Sequence, residues 1–354
     1  MKALILSGGK GTRLRPITHT SAKQLVPIAN KPILFYGIEA IRAAGITDVG
    51  IVVGDTEAEI RAAVGDGSAF GVKTTYIRQD APLGLAHAVK VSRPFLKDDT
   101  FVMYLGDNLI LDGITTLVEE FQRDRPNSQI LLAKVPHPEE FGVAELDGTR
   151  IKRLVEKPKE PKSDLALVGV YMFDATIFDA VDRIKPSFRN ELEITDAIQY
   201  LIDHGKEVRH HIIGGWWKDT GKLEDILEAN RMVLSRAKRS VLGDVDAETK
   251  VEGEAIVPAT TVVKNSILRG PLTLGERCVI ENAYIGPFSS IYDDVRIRNS
   301  EIEHSIVLER CVIEDVPVRI EASLIGKEVR IQRSQRKPSA YRFMLGDSSL
   351  VDVL

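Results

Sequence analysis

From residue 251 onward, aliphatic residues return at every sixth position, and this repeat limits the possible folds more than any other feature of the chain. Such repeats are typical of a parallel β-helix, in which stacked coils of about 17 residues bury columns of aliphatic side chains. An antiparallel β-sandwich is the alternative, but its strands alternate with a period of two. The pattern breaks at Glu314, where Ile313 can substitute, and at Arg319. The columns comprise Val251, Val257, Val263, Leu268, Leu274, Ile280, Ile285, Ile291, Ile297, Ile302, Leu308, Ile325 and Ile331.

The first 235 or so residues have a different pattern, in which short apolar runs alternate with segments of helical spacing. Strand–helix alternation is typical of an α/β fold with a parallel sheet, and ligands bind beyond the carboxyl ends of its strands. We predict two domains, over residues 1–240 and 241–354, with the tail after residue 331 packing as a cap. The predicted strands cover 3–6, 49–53, 74–77 and 101–105, and the predicted helices cover 33–44, 57–64, 85–95 and 222–239.

Composition and charge exclude several classes of function. The 354 residues carry a formal net charge of −4, which gives no basis for bulk binding to nucleic acid or to an anionic membrane. No uninterrupted apolar run approaches the length of a membrane span, and the four apolar residues after Lys2 are too few for a signal peptide. Cys278 and Cys311 make no metal motif, and we expect reduced core thiols in a cytoplasmic protein.

A glycine-rich segment directly after the first strand is the strongest chemical signal. Residues 7–16 read Ser-Gly-Gly-Lys-Gly-Thr-Arg-Leu-Arg-Pro. The glycines let backbone N–H groups approach a polyphosphate closely, and Arg13 offers it a forked cation. The segment lacks the Gly-Lys-Ser/Thr ending of a Walker A loop and the third glycine of a dinucleotide fingerprint. Lys23 follows at a distance in sequence that allows it to reach the same phosphates.

These residues resemble the signature of the sugar nucleotidyltransferase family. The signature is Gly-Gly-x-Gly-Thr-Arg-Leu-x-Pro at residues 8–16, followed by Lys-Gln-Leu-x-Pro at 23–27. Further motifs follow in family order at 82–86, 105–108, 141–143, 156–158, 192–196 and 217–221. Together with the repeat, they resemble the long form of the glucose-1-phosphate thymidylyltransferases. The resemblance implies a Rossmann-like nucleotidyltransferase domain followed by a hexapeptide-repeat left-handed parallel β-helix.

The resemblance also implies a role for particular residues. Asp107 and Asp219 would hold Mg²⁺, which typically takes one or two carboxylates. Arg13 and Lys23 would hold the triphosphate, and Lys157 the phosphate of the sugar. Asn190 stands where the family pattern has glycine, next to the phosphate-binding Arg189. The nucleotide-binding positions are Leu6, Gly8, Gly9, Gly11, Thr12, Arg13, Gln79 and Gly84, and the sugar-phosphate positions are Gly142, Glu156, Lys157, Val168 and Arg189.

The implied reaction is the transfer of a thymidylyl group from dTTP to glucose 1-phosphate, with release of pyrophosphate, as the first step of dTDP-deoxysugar biosynthesis. Gln79 can pair with the imide edge of thymine or uracil, which argues against ATP. A uridylyltransferase, or an enzyme for another sugar phosphate, remains an alternative. A bifunctional acyltransferase is disfavoured because His304 is the only histidine of the repeat. A sensor without catalysis is disfavoured because the aspartates and phosphate-binding cations are all present. We expect a homo-oligomer, with the β-helix as an assembly or regulatory module.

Overall fold

A computed structural model describes residues 1–9, 11–19, 21–338 and 340–353. Its contacts divide the chain into two compact units. The first unit contains residues 1–10, 22–25 and 33–219, and the second contains 11–21, 26–32 and 220–354. The second unit thus includes two short segments from the N-terminal region, which a division at a single residue does not capture.

Thirteen strands lie in the described part of the chain before residue 220. They are β1 (Lys2–Leu6), β2 (Pro27–Ile28), β3 (Lys31–Pro32), β4 (Asp48–Val53), β5 (Lys73–Arg78), β6 (Phe101–Leu105), β7 (Asn108–Ile110), β8 (Ser128–Lys134), β9 (Gly142–Asp147), β10 (Arg150–Glu156), β11 (Leu165–Phe173), β12 (Val208–Ile212) and β13 (Trp217–Asp219). The α-helices are α1 (Ile33–Ala43), α2 (Glu57–Val64), α3 (Leu85–Val91), α4 (Arg93–Leu96), α5 (Thr115–Asp124), α6 (Ile177–Arg183), α7 (Ile194–Asp203) and α8 (Leu223–Leu234). Short 3₁₀ turns cover Thr12–Leu14, Ile17–His19, Lys23–Leu25, Ser68–Phe70 and Pro138–Glu140.

The main sheet of the first unit has nine strands in the order β10-β9-β11-β6-β1-β4-β5, with β8 beside β11 and β12 beside β8. Strands β6, β1, β4 and β5 are parallel, as the strand–helix alternation predicts. Strand β11 runs antiparallel to β6, β8 and β9, and β9 is antiparallel to β10. The parallel half of the sheet therefore continues into an antiparallel half on the side of β6.

Both faces of this sheet are covered. Alternate residues of β1 enter different cores, with Leu4 in one and Ile5 in the other, and both are fully buried. In β6, Met103 lies in the same core as Leu4, and Tyr104 lies in the same core as Ile5. Because side chains of a strand point to opposite faces in turn, a continuous apolar strand indicates burial on both sides.

Two predicted helices differ from the observed ones. The segment 85–95 is two helices, α3 and α4, which meet at the buried Ser92. The hydroxyl of Ser92 donates to the carbonyl of Ala88 at 2.7 Å, and Pro94 stands in the first turn of α4. A side-chain hydroxyl that competes for a backbone carbonyl, followed by a proline, interrupts a helix. The second case is α8, which ends at Leu234 instead of continuing to residue 239.

The second unit contains three parallel sheets of short strands, an arrangement consistent with the predicted left-handed β-helix. The sheets have the orders β14-β17-β20-β23-β26-β29, β15-β18-β21-β24-β27-β30 and β16-β19-β22-β25-β28. The strands are β14 (Ser240–Val241), β15 (Asp244–Val245), β16 (Lys250–Glu252), β17 (Ala255–Val257), β18 (Val262–Lys264), β19 (Ile267–Arg269), β20 (Leu272–Leu274), β21 (Val279–Glu281), β22 (Tyr284–Ile285), β23 (Ser289–Ile291), β24 (Arg296–Arg298), β25 (Glu301–Glu303), β26 (Ile306–Val307), β27 (Val312–Glu314), β28 (Ile320–Glu321), β29 (Leu324–Ile325) and β30 (Arg330–Gln332).

In the last coils of the β-helix, the observed strand pairing differs from the predicted columns of aliphatic residues. Val307, and not Leu308, pairs with Ile291. Ile320 pairs with Ile302, so Arg319 does not stand in the column. A fixed spacing of six residues gives the wrong column members here, because one coil has a residue fewer than the earlier coils and the next coil has a residue more. Ile313 pairs with Ile297, in agreement with its predicted substitution for Glu314.

One corner of the β-helix is formed by a stack of asparagines. Asn265, Asn282 and Asn299 all have positive φ, as does Asp315. The amide of each asparagine donates to the next side chain of the stack, at 3.2, 2.8 and 2.6 Å. Asparagine and aspartate adopt the left-handed conformation more readily than most residues, which suits them to a repeated tight corner.

The tail after residue 331 ends the second unit. The predicted packing of the tail as a cap is wrong for the single chain, because its large apolar side chains are exposed: Tyr341, Phe343, Met344 and Leu345. Cys278 and Cys311 are buried and form no disulfide, in agreement with the prediction. Among the described residues, no helix is long and apolar enough to cross a membrane.

Candidate active site

The carboxyl ends of the parallel strands bring most of the predicted site residues of the first unit to one edge of the sheet. Strands β1, β4, β5 and β6 run in the same direction. The residues that follow them are Ser7–Gly9, Gly54, Gln79 and Gly106–Asp107. The first residues of β11 reach the same edge, because β11 is antiparallel to β6. This edge is where α/β folds bind their ligands.

A small cavity of about 250 Å³ lies at the end of the edge formed by β1, β4 and β5. Gly8, Gly54, Gln79 and Pro82 contribute to its lining. A Cβ atom on Gly8 would lie 3.5 Å from Oε1 of Gln79, so the space beside Gly8 opens toward that amide. The predicted nucleotide positions Gly8 and Gln79 therefore share one cavity.

Backbone hydrogen bonds hold the first strand at this edge. The carbonyl of Leu6 accepts from the N–H of Gly106 at 2.9 Å, and the N–H of Ser7 donates to Val52 at 2.8 Å. A Cβ atom on Gly9 would lie 3.9 Å from Cε of Lys23, so the Lys23 side chain runs beside the glycine turn. Leu6 itself is buried and contributes its backbone at this edge.

Gly84 has a structural requirement of its own. Its φ is +102°, and a Cβ atom would lie 2.4 Å from the carbonyl oxygen of Leu192. The same Leu192 donates its N–H to Leu83 and accepts from Ala86. Only glycine fits a backbone that approaches another this closely at positive φ. Gly84 therefore fixes the loop after Gln79, and its predicted contact with the base stays a prediction.

Lys23 and Asp107 form an ion pair in which both side chains are largely buried. Burial raises the pKa of the Asp107 carboxyl, but the charge of Lys23 and hydrogen bonds outweigh this effect and hold the pKa below its ordinary value. The carboxylate is therefore ionised at neutral pH. In the antiparallel pair of β7 and β13, Asp219 stands opposite Asn108, the residue after Asp107. The two predicted metal ligands thus lie on neighbouring strand ends.

The two carboxylates fit the ligand preference of Mg²⁺. Magnesium takes oxygen ligands and commonly uses one or two carboxylates together with water and phosphate oxygens. Oδ1 of Asp219 is buried, so this oxygen faces the protein interior and not bulk water. No group of three or more histidine, cysteine or acidic side chains around one point occurs in the described part of the chain. A site completed by substrate phosphates requires no such group.

Asn108 is a site residue whose importance the sequence analysis did not single out. Its side chain is buried, and Oδ1 accepts from Nε1 of Trp217 at 2.6 Å and from the N–H of Gly169 at 3.3 Å. Its Nδ2 donates to Oδ1 of Asp107 at 3.1 Å. Asn108 therefore ties Asp107 to the strand that carries Asp219. Its position directly after an aspartate and at the start of the apolar strand β7 was the available signal.

The sugar-phosphate positions cluster around Glu156, at the end of β10. Gly142 pairs with Glu156, and a Cβ atom on Gly142 would lie 3.1 Å from Oε2 of Glu156. That oxygen accepts a hydrogen bond from Oγ1 of Thr195 at 2.5 Å. Burial raises the pKa of Glu156, although the Thr195 hydrogen bond opposes the increase. The glycine leaves room for the carboxylate, and the hydroxyl orients it.

Arg189 lies among three carboxylates. Its guanidinium is 3.0 Å from Glu191, 3.5 Å from Glu156 and 3.5 Å from Glu193. The structure thus places Arg189 beside Glu156, and the binding of a sugar phosphate by these two residues stays a prediction. Asn190 has φ +61°, a conformation that glycine and asparagine both tolerate, so the departure from the family pattern preserves the local backbone.

Lys157 also adopts the left-handed conformation, with φ +43°, and its N–H donates to the carbonyl of Phe141 at 3.0 Å. A lysine held at positive φ directly beside Glu156 is the kind of local strain that collects at functional sites. Val168 differs from the other members of this set, because its side chain is fully buried in a core. Val168 therefore offers no exposed side chain to a ligand.

The remaining predicted positions belong to the second unit. Gly11, Thr12 and Arg13 lie in or next to the 3₁₀ turn Thr12–Leu14, and the side chain of Arg13 is exposed. Gly11 has φ +62°, and its carbonyl accepts from Oγ1 of Thr18 at 2.6 Å. Lys10 of the glycine-rich motif lies outside the described residues.

The sheet is Rossmann-like, and its carboxyl edge carries a glycine turn, a lysine–aspartate pair and a second aspartate. This arrangement is typical of nucleotide-binding α/β enzymes. Comparison with known proteins specifies it further. The model of the nucleotidyl transferase family matches residues 2–236. The chain belongs to this family, which confirms the resemblance.

Two curated relatives match over the full chain. A glucose-1-phosphate thymidylyltransferase of Streptomyces griseus is 54% identical over 354 residues, covering 100% of this chain and 99% of that protein. The enzyme of the same name from Streptomyces antibioticus is 55% identical over 355 residues, with the same coverage. A solved structure from Bacillus anthracis, named as a candidate glucose-1-phosphate thymidylyltransferase in complex with a sucrose, is 37% identical with a TM-score of 0.62. It covers 66% of this chain and 94% of its own.

Proposed function

We propose that this chain is a glucose-1-phosphate thymidylyltransferase, which joins glucose 1-phosphate to dTTP and releases pyrophosphate. The observation that carries the proposal is the order of groups along the sheet edge. The cavity with Gly8 and Gln79 lies at the end of β1, β4 and β5. Glu156 lies at the end of β10, and Asp107 at the end of β6 stands between them. A nucleotide on one side and a sugar phosphate on the other would meet at the carboxylates.

The chemistry requires little acid–base assistance from the protein. A phosphate oxygen of the sugar phosphate is already ionised at neutral pH, and it attacks the α-phosphorus in line as pyrophosphate leaves. Catalysis then consists of positioning and charge neutralisation. Asp107 and Asp219 would hold Mg²⁺, which when bound supplies positive charge to the phosphate oxygens. Lys23 balances the charge of Asp107 and lies beside Gly9, where the triphosphate would bind.

On the sugar side, Glu156 is proposed to accept a hydrogen bond from a sugar hydroxyl. Lys157 and Arg189 would bind the phosphate of the same substrate. Arg189 is already 3.5 Å from Glu156, so one bound sugar phosphate could contact both. The carboxylates around Arg189 hold its guanidinium in place before the substrate arrives, which reduces the cost of ordering it on binding. Arg13 is proposed to bind the β- and γ-phosphates.

We also propose a homo-oligomer in which the second unit mediates assembly. The exposed apolar side chains of the tail support this, because large apolar groups on a surface mark interaction sites. A biosynthetic role in supplying dTDP-glucose to deoxysugar pathways follows from the proposed product.

The test is a pyrophosphate-release assay with purified protein, Mg²⁺, and a panel of triphosphates and sugar 1-phosphates. The proposal expects the highest kcat/KM with dTTP and glucose 1-phosphate. A clear preference for UTP would make the chain a uridylyltransferase. A preference for another sugar phosphate would change the second substrate and leave the reaction class in place. Absence of pyrophosphate release with every pair would overturn the proposal.

A further inference from the structure

The side-chain nitrogen of Gln79 is engaged on two sides. Nε2 donates to the carbonyl oxygen of Gly84 at 3.2 Å and lies 3.0 Å from Nδ1 of His87. A carbonyl oxygen can only accept, so the Gln79 atom that faces Gly84 must be the nitrogen. This contact alone fixes which end of the amide is which.

The contact with His87 then follows. Because Nε2 of Gln79 is a donor, Nδ1 of His87 must accept, and the imidazole is neutral with its proton on Nε2. Burial and the charge of Lys90 lower the pKa of His87, while Asp80 opposes them to a smaller extent. The neutral form is therefore favoured at pH 7.

The other end of the amide faces the cavity. Oε1 of Gln79 lies next to Gly8, 3.5 Å from the position of a Cβ atom there. Both N–H groups of the amide have acceptors, so the carbonyl oxygen is what Gln79 offers to a ligand. The loop from Gln79 to His87 holds this arrangement, since Gly84 is pinned against Leu192 at a spacing that no other residue permits.

We propose that His87 is a positioning residue that locks the Gln79 amide with its oxygen toward the base. This role of His87 rests on the proposed function, and through it the enzyme selects the base of the triphosphate. Thymine and uracil carry an N–H at ring position N3, which can donate to Oε1. Cytosine has a lone pair at N3, which would face the lone pairs of Oε1. The lock therefore favours dTTP and UTP over dCTP, and it does not separate thymine from uracil.

The experiment compares His87→Leu with His87→Asn. Leucine fills similar space without an acceptor, whereas asparagine keeps an acceptor oxygen close to the position of Nδ1. We measure kcat/KM for dTTP and dCTP at saturating glucose 1-phosphate. In His87→Leu the amide is free to rotate, and we expect the preference for dTTP over dCTP to fall about tenfold, mainly through KM. In His87→Asn most of the preference should return.

Two further measurements separate positioning from a merely structural role. If His87 acts through Gln79, then His87→Leu in a Gln79→Leu background should cause no further loss of preference. In the wild type, KM for dTTP should rise as the pH falls and His87 gains a proton, while His87→Asn should show no such rise. The pH comparison remains available if His87→Leu fails to fold.

An unchanged dTTP/dCTP ratio in His87→Leu, or equal losses in the leucine and asparagine variants, would overturn the lock. Wild-type protein that does not use dTTP at all would instead overturn the proposed function. The two failures are distinguishable because the first is a change between variants and the second appears in the wild type alone.

Discussion

The indole Nε1 of Trp217 donates to Oδ1 of Asn108 at 2.6 Å, and this bond joins the two short strands that carry the candidate metal ligands. Asn108 follows Asp107 directly, and Trp217 precedes Asp219 by two residues. The relative position of the two carboxylates therefore depends on an amide that bears no charge.

Asn108→Leu tests this dependence. The change leaves the N–H groups of Trp217 and Gly169 without their acceptor in a buried place, which should lower the free energy of unfolding by about 2–4 kcal/mol. We also expect kcat to fall at least about tenfold, since the carboxylates lose their alignment. Urea unfolding and steady-state kinetics measure the two effects. Trp217→Phe removes only one donor and should cost less in both; equal kcat values for wild type and Asn108→Leu would contradict the positioning role.

Asp107→Asn and Asp219→Asn test the metal site directly. Each removes one charged ligand, and we expect kcat to fall by at least about a hundredfold, as for the loss of several kcal/mol of charge stabilisation. The matched control is Asp98→Asn, because Asp98 is an exposed aspartate that precedes β6, at the opposite end of this strand from Asp107. Far-ultraviolet circular dichroism should show that both variants fold. Near-normal turnover of both at saturating Mg²⁺ would rule out the assignment.

Much of the fold was predictable because local pattern and tertiary structure agree. The first strand is a short apolar run that stops at glycines, and the observed β1 ends at Leu6 as that pattern requires. The break at Ser92 was not predictable from periodicity, since it arises from a hydroxyl that bonds Ala88. The column position of Val307 was also hidden, because Leu308 beside it is equally aliphatic and also buried.

The sequence identified the charged residues of the candidate site, because they lie in recognisable motifs. It did not identify neutral residues that act by positioning other side chains. Asp107 ends an apolar strand in a recognisable motif. His87 gave no such signal, because its contact with Gln79 depends on the loop that Gly84 shapes. Glu191 and Glu193 are close to Arg189 in sequence, but Glu156 reaches it from the end of β10, a long-range contact that the sequence does not reveal.

Lys157→Ala and Arg13→Ala should affect different substrates. Lys157 adjoins the Glu156 cluster, so its loss should raise KM for glucose 1-phosphate by about tenfold or more, with a smaller effect on dTTP. Arg13→Ala should mainly impair use of dTTP. Because Lys157 has positive φ, Lys157→Asn serves as the control that removes the charge while tolerating the backbone. The reverse substrate dependence would show that the two assignments are exchanged.

Glu156 should make stability depend on pH. Its pKa in the folded protein is raised, chiefly by burial, above the ordinary value of 4.5. The folded state therefore holds the proton more tightly than the unfolded state, and stability falls as pH rises from about 4.5 through the folded pKa. Glu156→Gln removes this loss. The free energy of unfolding of the variant, relative to that of the wild type, should therefore increase as the pH rises through that window. Urea unfolding across the window measures the difference. The exposed Glu160→Gln should parallel the wild type, and a Glu156→Gln curve parallel to both would contradict the prediction.

The last prediction concerns the second unit, where Asn230 connects α8, an N-terminal segment and the β-helix. Asn230 is fully buried; its Oδ1 accepts from the N–H of Ala29 at 2.8 Å and from Oγ of Ser290 at 2.7 Å, and its Nδ2 donates to Phe288 at 2.9 Å. Asn230→Ala leaves these partners unsatisfied and should lower the free energy of unfolding by about 2–4 kcal/mol. Thermal melts measure this change, and an unfolding free energy equal to that of the wild type would contradict the structural role of Asn230.

Deleting everything after residue 240 extends this test. The deletion removes Phe288 and Ser290, and with them two of the three partners of Asn230. The segment 26–32, which begins three residues after Lys23, loses part of its packing surface, including the carbonyl of Ile291 that accepts from Asn30 at 2.7 Å. We therefore expect a truncated chain with fewer subunits or lower solubility, and with measurable but reduced nucleotidyl transfer. Light scattering and the pyrophosphate assay follow the two properties separately. A soluble truncated chain with the oligomeric state and kcat of the full chain would show that the β-helix contributes neither assembly nor support to the catalytic unit.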